Sequence, residues 1–323
     1  MPTAFITGIT GQDGSFLAEQ LLAEGWTVVG LVRRSASRNL WRLSRIIDRI
    51  TLVDGDLLDL GSMIDAIRHH KPDHVYNLAA QSFVATSWRQ PLLTGDVTAL
   101  GAARLLEAVR IGYPEARVYQ AGSSEMFGAS TGPKQNEETS FHPRSPYGVA
   151  KVYAHHLAIN YRESHGMFVV AGILFNHESE RRGPEFVTRK ISAAVAAIRA
   201  GRQDSLLLGE LSVRRDWGFA GDYTKAMKLM MERDEPADFV IATGKSWSVR
   251  EFAQRAFDAA GLSMDDYIEH DPNLVRPAEI PSLCGDASRA HAELGWRPEC
   301  TFDSLVERMV RADMEREGLC GPS

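Results

Sequence analysis

The chain has 323 residues, 44% hydrophobic and 24% charged, the balance of a globular protein with one large domain or a core and a smaller unit. Its 36 basic and 42 acidic side chains leave a net charge of −6, which argues against nucleic acid or an anionic membrane as a partner. Cys284, Cys300 and Cys320 form neither a CxxC pair nor an even disulfide framework, and no apolar run is long enough for a signal peptide or a membrane span. A soluble, cytoplasmic, reduced protein without a metal centre is expected.

Short apolar runs at 3–7, 27–32, 50–53, 74–77, 117–121 and 168–174 read as strands. Between them lie segments of helical spacing, such as Leu17, Leu21 and Leu22, then Leu100, Leu105, Leu106 and Val109. Strand–helix alternation predicts a doubly wound parallel α/β sheet of the Rossmann type, because parallel neighbours need long crossovers. After Asn176 the pattern loosens into a charged Gly/Pro stretch (177–184), a helix (186–200), a strand (239–242) and helices at 249–260 and 302–314. The expected organisation is a dinucleotide-binding domain over 1–175, with 216–245 returning to it. A smaller mixed α/β substrate domain then comprises 176–215 and 246–323. The arginines at 38, 42, 45 and 49 read as a solvated basic helix face.

Gly8-Ile9-Thr10-Gly11-Gln12-Asp13-Gly14 follows the first strand and opens the first helix. Glycines there let the backbone approach a pyrophosphate, and a helix N-terminus offers free amides. After the second strand an NAD site expects a carboxylate for the ribose 2′-hydroxyl. This chain has Arg33, Arg34 and Ser35 instead, which suit a 2′-phosphate, so the expected cofactor is NADP. Asp56 and Leu57 after the third strand, and Leu78, Ala79, Ala80, Gln81 and Ser82 after the fourth, leave room for adenine and ribose.

Tyr147 and Lys151 are four apart, on one face of a predicted helix. The ammonium and a positive nicotinamide ring are expected to lower the tyrosine pKa and make it a general base for an alcohol losing hydride. Ser123, at the end of the fifth strand, is placed to hydrogen-bond the reacting oxygen. Glu125 is the unusual member, because alcohol oxidation needs no second base and a carboxylate there suggests proton transfer at carbon.

These segments, with Ser140–Lys151, Asn160–Ser164, Gly172–Ser179, Phe186–Lys190, Arg215–Gly218 and Arg276–Glu279, resemble the extended short-chain dehydrogenase/reductase superfamily. Within it the chain is similar to the GDP-mannose 4,6-dehydratase family over nearly its whole length. The resemblance implies a lyase cycle on a GDP-sugar without net redox change, in which Tyr147 serves oxygen and Glu125 serves carbon. It implies His177 and Arg182 near the cofactor, and Ser82, Ser123, Glu125, Asn176, Val187, Lys190, Arg215, Arg276 and Glu279 at the sugar nucleotide. It also implies a homodimer or homotetramer. Four positions depart from the family pattern: Leu93 for tyrosine, Gly122 for serine, Ser123 for threonine and Glu180 for proline. Dehydration of another sugar such as a GDP-heptose, a reductase or epimerase, and a catalytically dead NADP sensor are the alternatives.

Overall fold

In the computed structural model, which describes residues 1–274 and 278–319, seven parallel strands form the central sheet. The chain runs β1 (Thr3–Thr7), α1 (Gln12–Ala23), β2 (Thr27–Val32), β3 (Thr51–Asp54), α2 (Leu60–His70), β4 (His74–Asn77) and α3 (Val84–Arg89). A continuous helical stretch follows, α4 (Pro91–Thr94) passing through a π-helical segment into α5 (Gly101–Gly112). Next come β5 (Arg117–Ala121), α6 (Pro146–His165), β6 (Val169–Leu174), β7 (Asn176–Glu178), α7 (Val187–Arg199), β8 (Leu206–Leu208), β9 (Arg214–Arg215) and β10 (Trp217–Phe219). The rest comprises α8 (Ala220–Met231), β11 (Phe239–Ile241), β12 (Trp247–Ser248), α9 (Val249–Ala259), β13 (Ile268–His270), α10 (Ser288–Leu294) and α11 (Phe302–Arg316).

The sheet order is β3-β2-β1-β4-β5-β6-β11. The expected doubly wound parallel sheet is therefore present. Order reverses between β1 and β4, and the crevice beyond the carboxyl ends at that point is where such sheets bind ligands. Thr7, Asn77 and Gln120 pin this edge with a buried ladder: Thr7 Oγ1 donates to Asn77 Oδ1 (2.7 Å), and Asn77 Nδ2 donates to Gln120 Oε1 (2.8 Å).

Both sheet faces are covered, as near-continuous apolar strands require. Leu17 and Leu21 of α1 and Met227 and Met230 of α8 pack on one face. Ile67, Leu105, Val109 and Tyr161 pack on the other. A separate cluster is built from Ile191, Val195, Phe252, Phe257, Leu305 and Met309 of α7, α9 and α11. Ile280, Leu283, Ala290 and Trp296 return to the main sheet. The basic segment is not a helix face. It forms two 3-10 turns, Trp41–Leu43 and Ile47–Arg49, and Arg42 is tied down by Arg181 O (2.7 Å) and Thr10 O (3.3 Å). No helix among the described residues is long and apolar enough to cross a membrane.

Candidate active site

A cleft of about 700 Å³ opens beyond the carboxyl ends of β4, β5 and β6 and runs to the α7–α9–α11 cluster. Its walls include Asp13, Leu78, Ala80, Ser82, Ser123, Glu125, Tyr147, Lys151, Asn176, His177, Arg182, Val187, Lys190, Arg215 and Glu279. Arg276 lies outside the described residues. No group of three or more His, Cys, Asp or Glu side chains among the described residues could hold a metal ion.

At the floor, α6 starts with Ser145 as N-cap, its hydroxyl accepting from Gly148 N at 3.0 Å, and Pro146 in the first turn. Such a cap is worth about 1 kcal/mol and fixes where the first turn begins. Gly148 then sets a contact that a larger residue would forbid. A Cβ there would lie 2.7 Å from Glu125 O, so the helix rests directly on the short turn Ser124–Met126 that carries Glu125. Ser123 caps that turn, accepting from Glu125 N at 3.2 Å, and its side chain hydrogen-bonds with Tyr147. Lys151, one helical turn beyond Tyr147, donates to Ala121 O at 2.8 Å. Two buried backbone contacts thus bring Ser123, Glu125, Tyr147 and Lys151, from the end of β5, the turn after it and α6, to one place.

The protein's own groups act on Tyr147 in the direction opposite to the expected lowering. Burial pushes its pKa up to about 12, the Ser123 hydrogen bond pulls the other way, and the Glu125 charge pushes it further up. Lys151 sits 5.8 Å from the ring centre and is itself lowered to about 8 by burial, against the pull of Asp13. Desolvation is the largest of the influences on Tyr147. Glu125 is buried, with 8% of its surface exposed, between the same two elements.

The nucleotide end is built from β1 and α1. Gly8 has φ +72°, and a Cβ there would lie 2.8 Å from Ala79 N. The N-cap, Gly11, brings no side chain to cap the first turn of α1, leaving its amides for an anion. That arrangement fits a pyrophosphate. Ile9 is a core side chain, packed against Gly30, so it offers only backbone here. Gln12 and Gln81 likewise serve as fasteners: Gln12 Nε2 donates to His177 O (3.0 Å), Ser179 Oγ donates to Gln12 Oε1 (2.7 Å), and Gln81 Nε2 donates to Phe83 O (3.1 Å). Arg33, Arg34 and Ser35 are exposed just after β2, while Asp56 and Leu57 follow β3, with Leu57 packed on Gly101. These residues, with Thr10 and Ala79, lie outside the cleft walls named above, along the same edge of the sheet.

Asp13 and His177, 164 residues apart, form a pair with Nε2 to Oδ2 at 2.8 Å. His177 Nδ1 contacts Phe175 O at 2.7 Å, and the imidazole stacks on Tyr223. Burial acts against both charges. The mutual attraction and hydrogen bond outweigh it, leaving Asp13 below its ordinary value and His177 above. Arg182 lies 3.0 Å from Glu178 and over the Phe186 ring, while Glu178 accepts from Thr188 Oγ1 at 2.6 Å. Neither the Asp13–His177 pairing nor the Glu178 brace carries a local sequence signal.

At the far wall Arg215 donates to Ile280 O (2.8 Å) and contacts Glu279 at 3.2 Å. Lys190 donates to Leu207 O at 2.6 Å. Phe83 and Trp88, unremarked in the sequence, complete the wall from α3 and its approach. Two departures find their reasons. Glu180 holds Arg308 through both carboxylate oxygens (2.7 and 2.9 Å), fastening the loop after β7 to α11. A Cβ at position 122 would lie 2.8 Å from Gly172 O, so glycine suits the spacing of β5 and β6. Leu93 lies on α4, away from the cleft walls, and 44% of its surface is exposed.

A family model described as GDP-mannose 4,6 dehydratase matches residues 5–309. GDP-mannose 4,6 dehydratase 2 of Arabidopsis thaliana is 52% identical, over 97% of this chain and 87% of its own length. The Homo sapiens GDP-mannose 4,6 dehydratase is 44% identical, over 97% of this chain and 91% of its own. Among solved structures, the dTDP-glucose 4,6-dehydratase DesIV of Streptomyces venezuelae, with NAD and TYD bound, superposes with a TM-score of 0.87 at 23% identity, covering 98% of each chain. RMD from Pseudomonas aeruginosa, complexed with NADPH, gives 0.82 at 25% identity, covering 98% of this chain and 100% of that one. The chain belongs to the GDP-mannose 4,6-dehydratase family, a family of hydro-lyases.

Proposed function

We propose that this protein is an NADP-dependent GDP-mannose 4,6-dehydratase that converts GDP-mannose to GDP-4-keto-6-deoxymannose. The observation that carries the reading is Glu125, a buried carboxylate in the same cleft as Ser123, Tyr147 and Lys151. An alcohol dehydrogenase has no use for it. Family membership supplies the sugar nucleotide and supports the cofactor, as does the arginine pair after β2.

Bound NADP⁺ supplies a hydride acceptor for C4 and, later, the hydride donor for C6. Tyr147, hydrogen-bonded to Ser123, takes the proton of the C4 hydroxyl, and Lys151 holds positive charge beside it. The 4-keto group acidifies C5–H. Glu125 removes that proton while the C6 hydroxyl leaves, and the two together make one water. A proton returns to C5, balancing the one lost from the C4 oxygen, so the cycle closes without net redox change.

In this reading Gly8, Ile9, Thr10, Gly11, Gln12 and Asp13 cradle the pyrophosphate of NADP. Arg33, Arg34 and Ser35 hold its 2′-phosphate, and Asp56, Leu57 and Leu78 to Ser82 flank adenine and ribose. His177 and Arg182 face the cofactor. Asn176, Val187, Lys190, Arg215 and Glu279 face the GDP-sugar, with the cations toward the diphosphate. Residues 1–175 and 216–245 form the cofactor unit. Residues 176–215 and 246–323 form the sugar-nucleotide unit, except that 280–296 packs on the main sheet. Incubation with GDP-mannose and catalytic NADP⁺ in deuterated water tests the reading. The expected product is a 4-keto-6-deoxy sugar nucleotide carrying deuterium at C5, without NADPH accumulation. Intact GDP-mannose beside rapid turnover of another GDP-sugar refutes the substrate assignment.

A further inference from the structure

We infer that Asp216 is a positioning residue for the sugar-nucleotide site: its carboxylate fixes the strand that aims Arg215 into the cleft against the segment that carries Glu279. The inference rests on Arg215 being a ligand of the GDP diphosphate, as proposed above. Successive side chains of extended backbone point to opposite sides. Arg215 and Trp217 line the cleft, so Asp216 between them points away from it, and it is fully buried.

A buried carboxylate is tolerated only where donors replace water. Asp216 has four. Oδ1 accepts from Thr243 N (2.9 Å) and Thr243 Oγ1 (2.6 Å), and Oδ2 accepts from Gly244 N (2.9 Å) and Gly285 N (3.2 Å). Thr243 and Gly244 follow β11 at the edge of the main sheet, while Gly285 ends the stretch that begins at Glu279. One side chain therefore joins three segments distant in sequence. The same stretch receives Arg215 Nη1 at Ile280 O and pairs with Arg214, whose amide donates to Pro281 O at 2.9 Å. Where Glu279 lies relative to the Arg215 guanidinium is set by how 279–285 seats on 214–216, and Asp216 controls that seating.

The cofactor side is anchored separately. β7 pairs with β10, but it is also held to α1 by Gln12, by Asp13 through His177 and by Arg181, which grips Glu19 at 2.8 and 2.9 Å. Loosening Asp216 should therefore reach Arg215 and leave the dinucleotide end in place.

The test is titration of GDP, and separately of NADP⁺, into the wild-type protein, Asp216→Asn, Thr243→Val and Arg215→Met. In Asp216→Asn an amide NH₂ confronts backbone N–H donors. The GDP Kd and the KM for GDP-mannose should rise about tenfold or more, with kcat within about threefold and NADP⁺ affinity within about twofold. Thr243→Val keeps shape and carboxylate but removes one donor. It should weaken GDP about threefold with the same selectivity, which decides the matter if Asp216→Asn does not fold. Lowered thermal stability with GDP affinity unchanged in the folded variants, or equal loss of GDP and NADP⁺ affinity, overturns the role of Asp216. Unchanged GDP affinity in Arg215→Met instead overturns the diphosphate reading on which it stands.

Discussion

Replacing Glu125 by glutamine separates the two halves of the proposed cycle. The side chain is buried, so an amide of equal volume leaves the packing of α6 on the Ser124–Met126 turn intact. The backbone bond from residue 125 N to Ser123 Oγ does not involve the side chain and survives. What is lost is a base. General acid–base groups contribute about 10²- to 10⁴-fold, so steady-state formation of the 4-keto-6-deoxy product should fall by at least about 10²-fold.

Oxidation at C4 should persist, and even become easier at lower pH. The Glu125 charge pushes the Tyr147 pKa upward, and its removal leaves burial, the Ser123 bond and the Arg182 and Asp13 charges to set the value. In a single turnover with enzyme in excess, the variant should accumulate NADPH, where the wild-type protein returns it. Deuterium should not enter C5. Near-normal turnover in Glu125→Gln removes the residue from the mechanism. Loss of turnover without any NADPH places Glu125 in the oxidation step and refutes the division of labour.

Arg33→Ala with Arg34→Ala removes two exposed cations, each taken at about 1.4 kcal/mol; NADP⁺ Kd should rise about 10- to 100-fold while NAD⁺ stays within about twofold by fluorescence titration. Equal loss of both cofactors places the arginines elsewhere. The Asp13–His177 pair makes stability depend on pH. His177 is raised, so its contribution is full below 6.5 and is lost as pH climbs through the raised value; Asp13 is lowered, so its contribution is full above 3.8 and is lost as pH falls through the lowered value. The melting-temperature gap between wild type and His177→Gln should be widest between those limits, and a gap constant from pH 3 to 9 contradicts the pairing. Gly148→Ala places a methyl 2.7 Å from Glu125 O and should destabilise by about 1–3 kcal/mol, with kcat falling more than cofactor affinity. Unaltered kcat shows that the helix contact does not set the Tyr147–Glu125 spacing.

How much of this was legible depended on whether the signal was local. The central strands lie within a residue of their expected positions, because a buried parallel strand is a short unbroken apolar run. The pieces Leu206–Leu208, Arg214–Arg215, Trp217–Phe219, Trp247–Ser248 and Ile268–His270 escaped, since two or three residues carry no period. The arginines at 38, 42, 45 and 49 misled for the opposite reason. Their spacing is helical, yet Arg42 bonds to carbonyls of Arg181 and Thr10, and tertiary anchors override a solvated-face pattern.

The same division runs through the site. Ser123, Glu125, Tyr147 and Lys151 stood out by type and spacing, and one cleft collects them. The sign of the Tyr147 shift did not, because it depends on burial. A lysine four residues away is visible in the sequence, whereas the water excluded from Tyr147 is a property of the packed cleft. That burial is produced by the packing that puts α6 on the Glu125 turn, with glycine at 148 allowing the approach. Bringing the two bases together therefore carries an electrostatic cost, since the same packing raises Tyr147 to about 12. In the proposed cycle, the positive ring of bound NADP⁺ would offset that cost.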